Sequence, residues 1–337
     1  MVASVVVGVE AVPGSISCVA VDIDRNVLGR HTSVTQQPWD LLTAAQADVA
    51  AIELHAALNA LIALIAQPPV NLWPSVAAVC IGTTAADLGE ESESNIRSAV
   101  RRLLPASAQV LVYNSAAIAL VSGTGGPLLG CVLVAGVDSS RAYGAVADRR
   151  TAAASGWGPV FSDGGCAYDV GLRALSAVSR AQDGRGADTL LVNAVYRHLG
   201  AHRAEDLIRW ARSHTSIHQR VSGVASLARL VLDCASRGDS VADALLRHAV
   251  GELLRAIKAV VVKLGLDRSR QPFNLVLAGP MLSDGTLFMQ YLLEVLKDGV
   301  PTADVVYPLG DGAEAAAWLA LWLMNPQRPS PPLRRGL

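Results

Sequence analysis

The stretch SGWGPVFSDGGCAYDVGLRAL, residues 155–175, sets a tryptophan between two glycines and an aspartate just ahead of a helical pattern. Glycine tolerates backbone angles that other residues resist, so this is a loop built for an unusual chain path. It leads from a strand-like run into the apolar spacing of a helix, which is where α/β sheets gather ligands. Trp157 offers a flat apolar face, Gly156 and Gly158 let backbone N–H groups approach a ligand, and Asp163 can accept hydrogen bonds from two hydroxyls. From local evidence alone, a core tryptophan and a helix-capping aspartate account for the same residues equally well.

Working outward, the chain reads as one pattern written twice. β-type runs at 4–10, 15–23 and 26–31 are separated by the turns PGS and DRN. An Ala/Leu/Ile-rich helix over 42–66 follows, then a strand at 76–82, a helix over 92–104, a strand at 109–113 and a helix from Asn114. From residue 130 the strands return, followed by helices to about 265, a strand at 273–279, a helix over 284–298, the strand DVVYP and a helix over 312–324. Two units of strands first, then alternating helix and strand, predict an internal duplication and two α/β lobes with a ligand cleft. The expected division is 1–124 for the first lobe, 125–324 for the second, and a disordered Pro/Arg-rich tail over 325–337.

Composition narrows the function. With 28 basic and 29 acidic residues the net charge is -1, which provides no basic face for nucleic acid or an anionic membrane. Hydrophobic residues make up 51% but aromatics only 4%, so the core is aliphatic and alanine-rich. The five cysteines are scattered without CxxC spacing, as expected of buried thiols in a reducing compartment. The first ten residues read as a strand rather than a signal peptide, and no uncharged apolar run approaches the roughly 20 residues of a membrane span. A cytoplasmic location is the expectation.

Residues 154–186 resemble the GGWG…GDEGSAYWIG loop-helix signature of N-acetylglucosamine kinases, within the BadF/BadG/BcrA/BcrD-type ATPase family. VGVE near the start, VYNSAAIALVSGTGG, VLVAGVDSS and NLVLAGPMLSDG extend the resemblance over residues 4–324. It implies an α/β, duplicated actin-like ATPase (ribonuclease H-like) two-lobe sugar kinase fold. It further implies ATP and Mg2+ as cofactors, an amino sugar as the small-molecule partner, and leaves a homodimer open. For the sugar it implies Gln37, Trp39, Ser139, Ser140, Gly156, Trp157, Gly158 and Asp163. For the nucleotide it implies Glu10, Gly14, Ser15, Gly136, Ala225, Gly279 and Ser283.

Three parts depart from the family pattern. Glu10-Ala11-Val12-Pro13-Gly14-Ser15 stands where a (D/E)GGGT phosphate loop is expected, and proline has no N–H to donate. Ala135-Gly136-Val137-Asp138-Ser139 replaces AGTGS and adds a negative charge where phosphate would lie. Ser115 occupies the position of the family's catalytic aspartate, and a hydroxyl is a far weaker proton acceptor than a carboxylate. Three readings stay open: an amino-sugar kinase acting at O6, a catalytically weak or inactive pseudokinase that binds sugar or nucleotide, and, ranked last, an activator ATPase bearing an iron–sulfur cluster.

Overall fold

The computed structural model describes residues 4–36, 39, 44–66, 73–161, 163–214, 216–269, 271–327 and 329–335. The chain forms two compact units, one of Met1–Gly130 with Val305–Leu337 and one of Cys131–Asp304.

In the first unit, β1 (Val5–Val12), β2 (Ser15–Val21) and β3 (Val27–Val34) form an antiparallel meander. The β1–β2 connection is only Pro13-Gly14, with Val12 opposite Ser15 and Gly14 at φ +87°. That left-handed angle is what a Pro-Gly turn places on its glycine. Helix α1 (Ala44–Ile65) leads towards β4 (Val76–Thr83), which runs parallel to β1. A short 3-10 helix (Thr84–Leu88) and α2 (Glu90–Arg101) then lead to β5 (Gln109–Asn114), parallel to β4, and to α3 (Ser115–Thr124). The sheet order is β3-β2-β1-β4-β5.

The strand residues alternate between two cores, as a pleated strand buried on both faces must. Val5, Val7 and Val9 join α1 and α2 residues such as Leu54, Leu58 and Ile96. Val6 faces the other way, into a cluster with Ile118 of α3. α1 is long and apolar enough over Gln46–Ile65 to cross a membrane by length and hydropathy, but it carries Asp48 and Glu53 and lays Leu54, Leu58 and Leu61 into this core.

The second unit repeats the arrangement. It contains β6 (Gly130–Ala135), β7 (Ser140–Ala145), β8 (Thr151–Ser155), α4 (Ala167–Gln182), α5 (Leu191–Leu199), α6 (Ala204–Ser213) and α7 (Ile217–Ala225). It continues with α8 (Ala228–Ser236), α9 (Ser240–Leu264), β9 (Phe273–Ala278) and α10 (Leu287–Gly299), and β10 (Ala303–Tyr307) carries the chain out of it. The remaining elements are α11 (Gly312–Met324) and β11 (Arg334–Arg335), and the second sheet runs β11-β10-β9-β6-β7-β8. β6 is parallel to β9 and β7 antiparallel to β8, so the order 8-7-6-9-10 mirrors 3-2-1-4-5. The duplication read from the sequence is present.

Two boundaries differ from the expected division. α11 belongs to the first unit, where Ala313, Ala316, Ala317 and Ala320 pack on Val6, Val19 and Cys80. Its alanines permit an approach so close that a side chain at Gly8 would lie 1.9 Å from the Ala313 carbonyl. The tail, expected to be disordered over 325–337, is held at two described places: Arg334 and Arg335 pair with Tyr307 and Val306. Pro331 packs over Gly125, whose φ of +65° ends α3 and whose missing side chain leaves room for the proline ring. A Pro-rich segment has little chain entropy to lose, which favours such docking.

Candidate functional site

In the second unit the residues singled out from the sequence gather around the ends of β6, β7, β8 and β9. Asp163 organises them. Its carboxylate is 5% exposed; Oδ1 accepts from Ser155 Oγ at 2.8 Å and the Gly156 N–H at 3.1 Å, and Oδ2 accepts from the Gly158 N–H at 2.7 Å. These bonds hold Ser155, Gly156 and Gly158 at φ of 63°, 85° and 92°, a region non-glycine residues seldom adopt. Asp163 therefore clamps its own loop. It is not the helix cap: Cys166 caps α4, with Sγ accepting from the Asp169 N–H.

The clamp lifts Trp157 into solvent, 72% exposed, with Phe161 edge-on at 5.6 Å and Val160 beside it in the chain also exposed. This is a bare aromatic face in a chain with few aromatics. Ser140 is buried and donates to the Gly164 carbonyl at 2.7 Å, so its hydroxyl is spent on the loop rather than offered outward. Ser139 is half-buried; its carbonyl accepts from the Gly136 N–H at 2.8 Å and closes the 136–139 turn. The first amides of α4 are also taken, since Ala167 and Tyr168 donate to the carbonyls of Gly136 and Val137. Val137 and Asp138 stand exposed at the tip of this turn. Gly279, at φ +102°, is required by packing, because a side chain there would lie 2.4 Å from the Ala135 carbonyl. Ser283 is exposed and donates to the Pro280 carbonyl, while Ala225 is buried at the end of α7, beside Val224, whose carbonyl abuts Gly171 of α4.

In the first unit the candidates lie at the carboxyl ends of the parallel strands. Gly14 is exposed, with open space where a side chain would be, and Ser15 is half-buried. Glu10 points at the start of α11, where a side chain on Gly312 would lie 2.2 Å from its Oε1. Burial, and secondarily the Asp311 charge, push the Glu10 carboxyl above the usual range. Asp311 and Glu314 in turn pair with Arg30.

Trp39 departs from its expected role. It is fully buried, its ring N–H donates to Thr35 Oγ1 at 3.3 Å, and its carbonyl accepts from the hydroxyls of Thr83 and Thr84. A ring with no exposed surface has none to give a sugar. Gln37 lies outside the described residues. Ser115 begins α3, which Asn114 caps by accepting from the Ala117 N–H at 2.7 Å. Its hydroxyl donates to Asp87 Oδ2 at 3.4 Å. Sequence reasoning missed Asp87; its one visible signal is an acid in the turn straight after a buried parallel strand.

The expected buried thiols are present: all five cysteines are buried and unpaired. Burial pushes Cys18 and Cys131 up to about 12 and Cys166 to about 11. Among the described residues no group of three or more His, Cys, Asp or Glu side chains is placed to hold a metal ion.

A two-unit α/β chain with duplicated sheets and glycine turns at the strand ends defines a class, and comparison with known proteins specifies it. The chain belongs to the BadF/BadG/BcrA/BcrD ATPase family, which matches residues 14–320. It is 29% identical over 318 residues to an N-acetyl-D-glucosamine kinase of Dictyostelium discoideum, covering 94% of this chain and 97% of that one. It is 30% identical over 244 residues to an N-acetylmuramic acid/N-acetylglucosamine kinase of Clostridium acetobutylicum, covering 72% and 76%. A candidate N-acetylglucosamine kinase from Chromobacterium violaceum, 21% identical, superposes with a TM-score of 0.68 over 94% of this chain and 99% of its own. The fold is the duplicated actin-like ATPase fold of sugar kinases.

Proposed function

We propose that the chain is an ATP-dependent kinase that phosphorylates N-acetylglucosamine or a closely related amino sugar at O6. The observation that carries this reading is the Trp157 ring, held out in solvent by the Asp163 clamp, in a chain similar to amino-sugar kinases along nearly its whole length. A pyranose packs its apolar face on such a ring. Gly158 leaves open space beside it, and Asp163 Oδ2, which accepts one bond from the loop, retains a lone pair for a sugar hydroxyl.

In the first unit Gly14 presents its backbone with open space where a side chain would be, as a phosphate contact requires. In the second unit the Gly279 turn and Ser283 are the proposed adenosine contacts, with Ala225 contributing only its small exposed fraction. Asp138 opposes phosphate by charge, yet an exposed carboxylate is also what magnesium uses beside phosphate oxygens. When bound, the nucleotide and its metal supply the phosphoryl group and offset its charge. The protein's task is then to orient the sugar, exclude water and take a proton.

A second reading, a sugar- or nucleotide-binding protein without turnover, is favoured by Pro13, Asp138 and Ser115 together. A coupled assay of ADP release with N-acetylglucosamine, glucosamine and N-acetylmuramic acid, run beside calorimetry, separates the two. Sugar-dependent ADP release is the expected result. Binding heat without ADP release would establish the second reading, and neither heat nor release would reject both.

A further inference from the structure

We infer that Ser115 and Asp87 act as a pair, the Ser115 hydroxyl meeting the sugar hydroxyl and the Asp87 carboxylate drawing the proton through it. The inference rests on the kinase reading above. It starts from the strand register: Thr83 at the end of β4 lies opposite Asn114 at the end of β5. The chain leaving Thr83 enters the 3-10 helix that Thr83 itself caps, accepting from the Ala85 N–H at 3.2 Å. The chain leaving Asn114 enters α3. Asp87 and Ser115, 28 residues apart, are brought together by these two exits, and Ser115 Oγ donates to Asp87 Oδ2 at 3.4 Å. Both side chains are half-buried, accessible enough to meet a substrate.

The electrostatics suit the role. Ser115 is the first residue of α3, and a helix N-terminus stabilises negative charge beside it. As the sugar oxygen bonds to phosphorus and the bond between the terminal phosphoryl and ADP breaks, the sugar's hydroxyl proton passes to Ser115 Oγ. The serine proton passes at the same time to Asp87 Oδ2, leaving a neutral serine and a protonated Asp87, which releases its proton to water after product departs. Charge and atoms balance, and the loss of an aspartate at position 115 is offset by one that reaches it from the neighbouring strand exit. Asp87 is thus a positioning residue acting through Ser115.

The test compares the full chain with Asp87→Asn, Asp87→Glu, Ser115→Ala and the double variant Ser115→Ala/Asp87→Asn. The readouts are kcat, KM, the pH–rate profile, thermal unfolding, and sugar affinity by calorimetry without nucleotide. We expect Asp87→Asn to lower kcat by about 10²–10⁴-fold while KM and sugar affinity hold. The acid limb of the pH–rate profile should vanish, Asp87→Glu should recover part of the loss, and the double variant should be no worse than either single one, as for residues that act as a unit. Unchanged kcat in Asp87→Asn would overturn the pairing and leave the kinase reading intact. Loss of sugar affinity or folding together with kcat would assign Asp87 a structural role and overturn it too. Sugar binding without turnover in the unmodified protein would overturn both.

Discussion

Replacing Asp163 with alanine removes one carboxylate and three hydrogen bonds, to Ser155 Oγ and the N–H groups of Gly156 and Gly158. A hydrogen bond to a charged group contributes about 1.5–3 kcal/mol when its donor is sealed from water. Here the three donors are half-buried, so water replaces part of each bond. The expected loss is about 1 kcal/mol per bond, or about 3 kcal/mol in all. Some of it is returned as Ser155 relaxes from φ 63°. For a unit of this size each kcal/mol moves Tm by about 2–4 °C, so the transition of the second unit should fall by about 6–12 °C. Asp163→Asn keeps one acceptor but turns an amide N–H2 towards a donor, and should lie between the two. Differential scanning calorimetry measures the shift, and acrylamide quenching reports whether Trp157 stays exposed. A drop smaller than about 2 °C in Asp163→Ala would refute the clamp.

The remaining predictions concern the first unit and the thiols. Ser115→Asp alone sets a second carboxylate beside Asp87. Two charges about 4 Å apart repel by about 4 kcal/mol at an effective dielectric of 20, so one acid holds its proton and turnover gains little. Adding Asp87→Asn removes the repulsion, and the double variant should exceed Ser115→Asp in kcat; equal rates would reject the repulsion. Glu10 is raised above 4.5 by burial and by Asp311, so the folded chain binds more protons than the unfolded one from pH 4.5 upward, and stability falls as pH rises through that window. Glu10→Gln should therefore unfold at higher temperature than the parent at pH 7, the two converging below pH 4.5, and a lower Tm at pH 7 would reject the assignment. A thiol reagent at pH 8 should find none of the five cysteines in the folded protein within minutes and all five in denaturant. Rapid labelling of Cys166, whose thiol is pushed up to about 11, would contradict its burial at the head of α4.

Much of the fold was legible because its signals are local. Valine runs, the PGS turn and apolar helical spacing place most elements within two or three residues, and the 312–324 helix matches α11. The return of α11 to the first unit was not legible, since nothing in the periodicity of 312–324 says that Ala313 and Ala317 meet Gly8 some 300 residues earlier. The tail misled for a related reason: composition reports the cost of ordering a Pro/Arg segment but not the seat that Gly125 provides for Pro331. At the site, residue types suggested the Trp157 loop, while the direction of Asp163 towards its own backbone depends on three glycine and serine angles no pattern encodes. Trp39 failed because a tryptophan beside a loop and a tryptophan in a core look alike until burial is known. Asp87 was invisible because its relation to Ser115 is made by strand register.

The segment after β10 has a consequence for biosynthesis. Because Val305–Leu337 completes the first unit, the ribosome emits β1 to β5 long before α11 exists to cover Val6, Val19, Ala78 and Cys80. The nascent N-terminal sheet must wait with an apolar face bare while the whole of Cys131–Asp304 is synthesised and free to fold as a contiguous insert. A premature stop near residue 310 would keep β6 to β10 and α4 to α10 but leave the first unit without α11, a sticky half-sandwich. Quality control therefore falls on the first unit, because the residues that decide whether its sheet is covered are translated only after the whole of the second unit.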